Sequence, residues 1–183
     1  FFVAAIVLCF ALIGFIIDSK KKQKGEVKNN TLDSTPEMSI PVNNTMDMNN
    51  GLENTVKFEC HDVFDFLPEL EAQGELFDMV ILDPPAFTKS RASIKNAIKG
   101  YREINMRGMK LVKDGGYLAT CSCSHFMDYD TFTKTIGQAA KLVHKRLRQV
   151  EFRTQAADHP ILWNGDENSY YLKFYIFQVV DEK

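Results

Sequence analysis

Three features predict an α/β fold with a mostly parallel sheet and an antiparallel hairpin at its C-terminal edge. From residue 51 onward, short apolar runs alternate with longer stretches of helical spacing. Turn and breaker residues separate them, among them Gly74, Asp83-Pro84-Pro85 and Asp114-Gly115-Gly116. The last two strand-like runs have only a loop between them, which suits an antiparallel hairpin at the sheet edge.

The elements follow in chain order. Residues 1–17, FFVAAIVLCFALIGFII, carry no charge and precede Asp18-Ser19 and three lysines. As a helix this run would span about 25 Å, slightly short of a bilayer core. It reads either as the first strand or helix of the domain or as a membrane anchor. The enzyme-like remainder argues against the anchor. Residues 18–50 are polar and rich in Lys and Asn, with Pro36 and Pro41, and read as a linker or a degenerate second strand–helix unit. The chain starts at Phe1 rather than Met, as a segment of a longer chain would.

Residues 51–183 form the expected domain. Val56 to Cys60 alternates as a short strand, and Phe64 to Glu71 has helical spacing that ends near Gly74. Phe77 to Leu82 is an apolar strand stopped by Asp83-Pro84-Pro85. Residues 93–113 place Ile94, Ile98, Tyr101, Ile104, Met109 and Leu111-Val112 on one helical face, and Gly115 is suited to end that helix left-handed. Tyr117 to Cys121 is the next strand. Residues 129–147 repeat Phe132, Ile136, Ala139-Ala140, Val143 and Leu147 at helical spacing, and Arg148–Thr154 and Tyr170–Val180 close the sheet.

Composition limits the function. With 183 residues, 45% apolar and 25% charged, the chain can bury an ordinary core. A formal charge of −2 excludes a general polycation, so any nucleic-acid contact must use a local patch. Four cysteines, Cys9, Cys60, Cys121 and Cys123, are too sparse for a disulfide scaffold and read as reduced thiols in a cytoplasmic setting. Cys-x-Cys is not the usual Cys-x2-Cys zinc spacing, so no metal is expected.

In open sheets of this class, ligands bind at the carboxyl ends of strands. Asp62, Asp83-Pro84-Pro85 and the Cys121/Cys123 pair each follow a strand. Singly, each has a plain explanation: a helix N-cap, a strand stop, and buried filler. Jointly they suggest one site.

These residues carry a resemblance. Asp62-Val63-Phe64-Asp65-Phe66-Leu67, Asp83-Pro84-Pro85-Ala86-Phe87, Lys89-Ser90-Arg91, Gly100-Tyr101-Arg102-Glu103-Ile104-Asn105, Thr120-Cys121-Ser122-Cys123-Ser124-His125, Asp158-His159-Pro160 and Tyr171-Leu172-Lys173-Phe174 resemble the catalytic domain of the 23S rRNA cytosine-5 methyltransferases. That resemblance implies a class I, Rossmann-like S-adenosyl-L-methionine (SAM) methyltransferase fold, with SAM as cofactor and RNA as partner. It implies that Asp62, with Val63 beside it, receives the adenine amino group, and that Asp83 and Pro84 line the pocket where methyl donor and base meet. Asp33 fits the acidic position for the ribose hydroxyls. Cys121 is the implied nucleophile, preferred over Cys123 because related enzymes share Thr-Cys-Ser at the strand end. Pro85, Phe87, Lys89 and Arg91 are implied substrate contacts. Lys95, Lys99 and Arg102 either extend a basic rim for RNA phosphates or form a solvated helix face.

The chain departs from the pattern in its first fifty residues. The glycine-rich loop expected after the first strand is missing: Gly14 is the only glycine before Gly25. Pro41 would interrupt the helix expected after Asp33. Two other readings therefore stand beside the first: an amino-nitrogen methyltransferase of the Asp-Pro-Pro type, and a fragment that keeps the fold without binding SAM.

Overall fold

A computed structural model of the chain describes residues 61–88, 90–165 and 169–182, and the backbone of 5–9. The sequence-predicted strand at 56–60, the 18–50 segment, Asp33 and Lys89 lie outside the described residues. Strand β1 (Ala5–Cys9) is followed by helix α1 (Val63–Gln73), β2 (Phe77–Asp83), a short 3-10 turn (Arg91–Ser93) and α2 (Ile94–Lys110). Then come β3 (Val112–Ser122), α3 (Tyr129–Leu142), β4 (Lys145–Arg153) and β5 (Lys173–Asp181).

The five strands form one mixed sheet in the order β1-β2-β3-β5-β4. The first three run parallel, with Leu8 opposite Leu82 and Leu82 opposite Thr120. Strand β5 is antiparallel to both its neighbours, β3 and β4. The expected closing pair is thus present, but β5 inserts between β3 and β4 and leaves β4 at the edge. Four strands therefore share one direction, and the carboxyl ends of β1, β2 and β3 lie along one rim together with the first residue of β5. Among the described residues no helix is long and apolar enough to cross a membrane.

The core lies where α2 and α3 meet the sheet. Tyr101, Ile104, Met109, Phe132, Ile136 and Ala139 come from the helices, and Val80, Leu82, Leu118, Tyr175 and Val179 from the strands; all are at most 1% exposed. Helix α1 starts at Asp62, whose carboxylate accepts from Phe64 N at 3.0 Å, and ends at Gly74 in the left-handed region with φ +74°.

Two helix ends differ from the sequence reading. Helix α2 stops at Lys110 and is capped by Leu111 in a right-handed conformation, not by Gly115. The reason is sheet pairing: Phe77 N donates to Leu111 O at 2.8 Å, so the chain enters the sheet at Val112. Gly115 does take a left-handed φ of +80°, but inside β3, where the register slips between Phe77 and Met79 to form a bulge. Helix α3 likewise stops at Leu142, and Leu147 belongs to β4, because β5 supplies a pairing partner for residues 145 onward.

Gly116 marks a close backbone approach. A Cβ there would sit 2.8 Å from Asp78 O and 3.0 Å from Lys113 O, and backbone cannot swing aside as a side-chain tip can. Gly116→Ala should destabilise the fold by about 1–3 kcal/mol, read as a lower urea midpoint with an unchanged slope.

Candidate active site

The Asp83 and Cys121 side chains meet because β2 and β3 are adjacent and in register at their carboxyl ends. Leu82 lies opposite Thr120, so the next residue of each strand turns to the same face. The Cys121 Sγ donates to Asp83 Oδ1 at 3.1 Å. Asp83 is exposed at the rim, whereas Cys121 is 5% exposed. The strand ends at Ser122, and the chain then turns, bringing Cys123 Sγ to 3.9 Å from Pro84 O. Cys123 is only half-buried. Two thiols and one carboxylate thus share a patch between the β2 and β3 ends.

Both loops around this patch are fixed from below. Ser124 Oγ donates to Thr88 O at 3.1 Å, tying the turn after β3 to the loop after β2. Thr88 Oγ1 in turn donates to Ser90 O at 2.6 Å. Phe87 packs on Tyr101 edge-on with centroids 4.7 Å apart, and Tyr101 packs on Phe132 at 5.4 Å. Ser122 Oγ donates to the Tyr101 phenol oxygen at 3.0 Å. The sequence reading placed Tyr101 on the apolar helix face and in a block shared with the resembled family, without a role at the site. Tyr101 also spans from the helix layer to the residue between the two cysteines.

Charge at the patch is mixed. Burial pushes the Cys123 thiol above its ordinary value; the nearby Asp83 carboxylate adds to this, and the Lys173 ammonium opposes it. Burial lowers Lys173 to about 8. Burial also pushes Tyr101 up to about 12. Lys173 had no role in the sequence reading. A signal was present: β5 alternates, and Lys173 occupies the inward series shared with Tyr175, Phe177 and Val179.

The remaining sequence-predicted residues spread around the rim. Asp62 sits at the start of α1, with Val63 buried beneath it, and Phe64 of the same turn lies 6.4 Å from Phe87 between ring centroids. The structure thus draws the start of α1 toward the loop that holds Pro84, Pro85 and Phe87. Phe64 is 38% exposed, so an apolar surface lies beside Asp62 and near the Asp83 loop. An adenine ring needs such an apolar surface and a hydrogen-bond acceptor, and these residues fit it. Arg91, Lys95 and Lys99 are exposed and Arg102 partly so. Among the described residues, no group of three or more His, Cys, Asp or Glu could hold a metal ion.

No protein-family model matches the chain. Curated relatives do. A protein named ribosomal RNA large subunit methyltransferase I from Pseudoalteromonas atlantica is 39% identical over 135 residues, covering 74% of this chain and 34% of the relative. Its namesake from Alteromonas mediterranea is 44% identical over 121 residues, covering 66% and 30%. That from Photobacterium profundum is 40% identical over 141 residues, covering 75% and 35%. The chain therefore spans about a third of the length of the curated relatives it matches. Among solved structures, a protein described as a SAM-dependent methyltransferase from Streptococcus mutans superposes with a TM-score of 0.59 at 17% identity, covering 96% of this chain and 44% of that one. A methyltransferase complexed with SAH gives the same TM-score and identity, covering 96% and 45%. The fold is thus the class I SAM-methyltransferase fold.

Proposed function

We propose that this chain is the catalytic part of a SAM-dependent methyltransferase that acts on large-subunit ribosomal RNA, placing a methyl group on carbon 5 of a cytosine. The observation that carries the chemistry is the pair of thiols beside Asp83 at the ends of two adjacent parallel strands. The likeness to rRNA large subunit methyltransferases supports the RNA substrate. An enzyme that methylates an amino nitrogen has no need of a nucleophilic sulfur at this position.

Carbon 5 of cytosine is a poor nucleophile. A thiolate that bonds to carbon 6 turns carbon 5 into an enamine-like carbon. Bound SAM would supply an electrophilic methyl, to which carbon 5 bonds as the methyl–sulfonium bond breaks and S-adenosylhomocysteine leaves. A base then takes the carbon-5 proton, the carbon–sulfur bond breaks, and the thiolate is restored. Asp62 would accept from the adenine amino group, Asp83 and Pro84 would line the meeting point of donor and base, and Pro85 and Phe87 would wall the base. Asp33 would take the ribose hydroxyls, from a segment outside the described residues. The base must be unstacked from its helix to reach the sulfur.

Burial ranks the two sulfurs. Cys121 is nearly sealed and its thiol proton is donated to Asp83 in a hydrogen bond, whereas Cys123 opens to the rim. The sequence favoured Cys121; access favours Cys123, and Cys123 is the attacking sulfur proposed here. Cys121 then orients the Asp83 carboxylate. The deciding experiment follows radiolabelled methyl transfer from SAM to a ribosomal RNA transcript by the unaltered protein, C121A and C123A, alongside calorimetric titration with SAM. Transfer by neither the unaltered chain nor a longer chain that includes it would overturn the reading, as would transfer by a variant that carries both C121A and C123A.

The basic rim gives an independent check. Lys95→Glu with Lys99→Glu should weaken RNA binding on the order of tenfold at low salt. The salt dependence should flatten by about one unit of slope for each phosphate no longer neutralised. Unchanged affinity in a filter-binding assay would make these lysines a solvated helix face.

A further inference from the structure

We propose that Lys173 is a positioning residue for Cys123, a fixed buried ammonium whose positive charge offsets part of what burial and Asp83 cost the Cys123 thiolate. Lys173 is 1% exposed, a burial that is rare for a lysine and costly unless its charge is served. Its backbone lies opposite Ser122 in the β3–β5 ladder, one residue before Cys123. Its Nζ donates to Ser124 O at 2.6 Å and to Tyr171 O at 2.8 Å. The ammonium is therefore pinned at the Cys123–Ser124 turn by two carbonyls, which serve its protons but leave its full positive charge in place.

The charges that face it define the balance. Burial and Asp83 both disfavour the Cys123 thiolate, and Lys173 favours it. On the Lys173 side, burial lowers its pKa to about 8, while Cys123 and Asp128 raise it. Below that value the ammonium is charged and supports the thiolate. As pH rises through it the charge is lost and the support goes with it. The alternative role, a mere cap for two carbonyls, needs hydrogen-bond donors but no charge. Glutamine keeps a donor and removes the charge, so it separates the two.

The inference rests on the reading of Cys123 as the attacking sulfur, but its test needs neither RNA nor SAM. The rate of Cys123 alkylation by iodoacetamide would be followed against pH, resolved by peptide mass spectrometry, in the unaltered chain and in K173Q, K173M and K173R. In folded K173Q and K173M the midpoint should rise and the rate at neutral pH should fall about tenfold, the effect of one pKa unit. K173R, which keeps the charge, should stay near the unaltered rate. In the unaltered chain the two titrations interact, so the Cys123 curve should be broader than a one-proton curve. An unaltered midpoint in folded K173Q overturns the proposal; if the neutral variants do not fold, a one-proton curve in the unaltered chain does so. A shifted midpoint together with failed RNA methylation would sink the proposed function and leave the electrostatic pair standing.

Discussion

Replacing Cys123 with alanine should abolish methyl transfer to RNA, a loss on the order of a thousandfold or more, while SAM binding stays within a few-fold of the unaltered value. Alanine removes the only atom at that position able to bond to carbon 6, and no other step makes carbon 5 reactive. The change is small and lies beyond the last residue of β3, so the sheet should not feel it. Cys121→Ala should behave differently. It removes the Sγ–Asp83 hydrogen bond at 3.1 Å and leaves a small void at a buried site, so it should lower transfer roughly tenfold and stability by about 1 kcal/mol. Single-turnover methylation with each variant separates the two sulfurs. Full loss in C121A with activity retained in C123A would return the nucleophile to Cys121.

Tyr101→Ala should cost about 3–5 kcal/mol of stability, the range for removing a large buried aromatic. Tyr101 is fully buried, packs edge-on against Phe87 and Phe132, and receives the Ser122 hydroxyl. Phe87 is not free to refill that volume, because it is held by the loop that Thr88 and Ser124 fasten. Tyr101→Phe keeps the ring and should cost only about 1 kcal/mol. The pair also differs in alkaline solution. An unfolded tyrosine ionises near pH 10, whereas burial holds the folded one protonated to about 12. Between those values the unfolded chain releases a proton that the folded chain keeps, so stability falls as pH rises. Tyr101→Phe should show a shallower decline than the unaltered protein. Tyr175, also pushed up by burial, leaves part of the slope in place. Urea unfolding at several pH values reads both effects, and equal slopes would remove Tyr101 as their source.

Much of the local structure was legible in the order of residues. Helix α1 has its N-cap at Asp62 and its left-handed end at Gly74, and both follow from residue chemistry that acts over a single turn. The Pro84-Pro85 stop ends β2 for the same local reason. Gly115 was misread because its left-handed backbone suits a helix end and a strand bulge equally. Only the pairing of Phe77 with Val112 decides between them. The order β3-β5-β4 was equally out of reach, since an antiparallel pair at the end of a chain can sit on either side of the strand it joins.

The candidate site divides along the same line. Residue order by itself determined that a carboxylate and two thiols would stand at strand ends, because proline stops and period-2 alternation act between neighbours in the chain. Tertiary structure alone decided that Asp83 bonds to the sealed Cys121 while Cys123 stays open, and that the inward series of β5 brings a lysine under the turn that follows Cys123. Burial and the electric field at a thiol are sums over groups distant in sequence, and those sums exist only once the sheet is assembled.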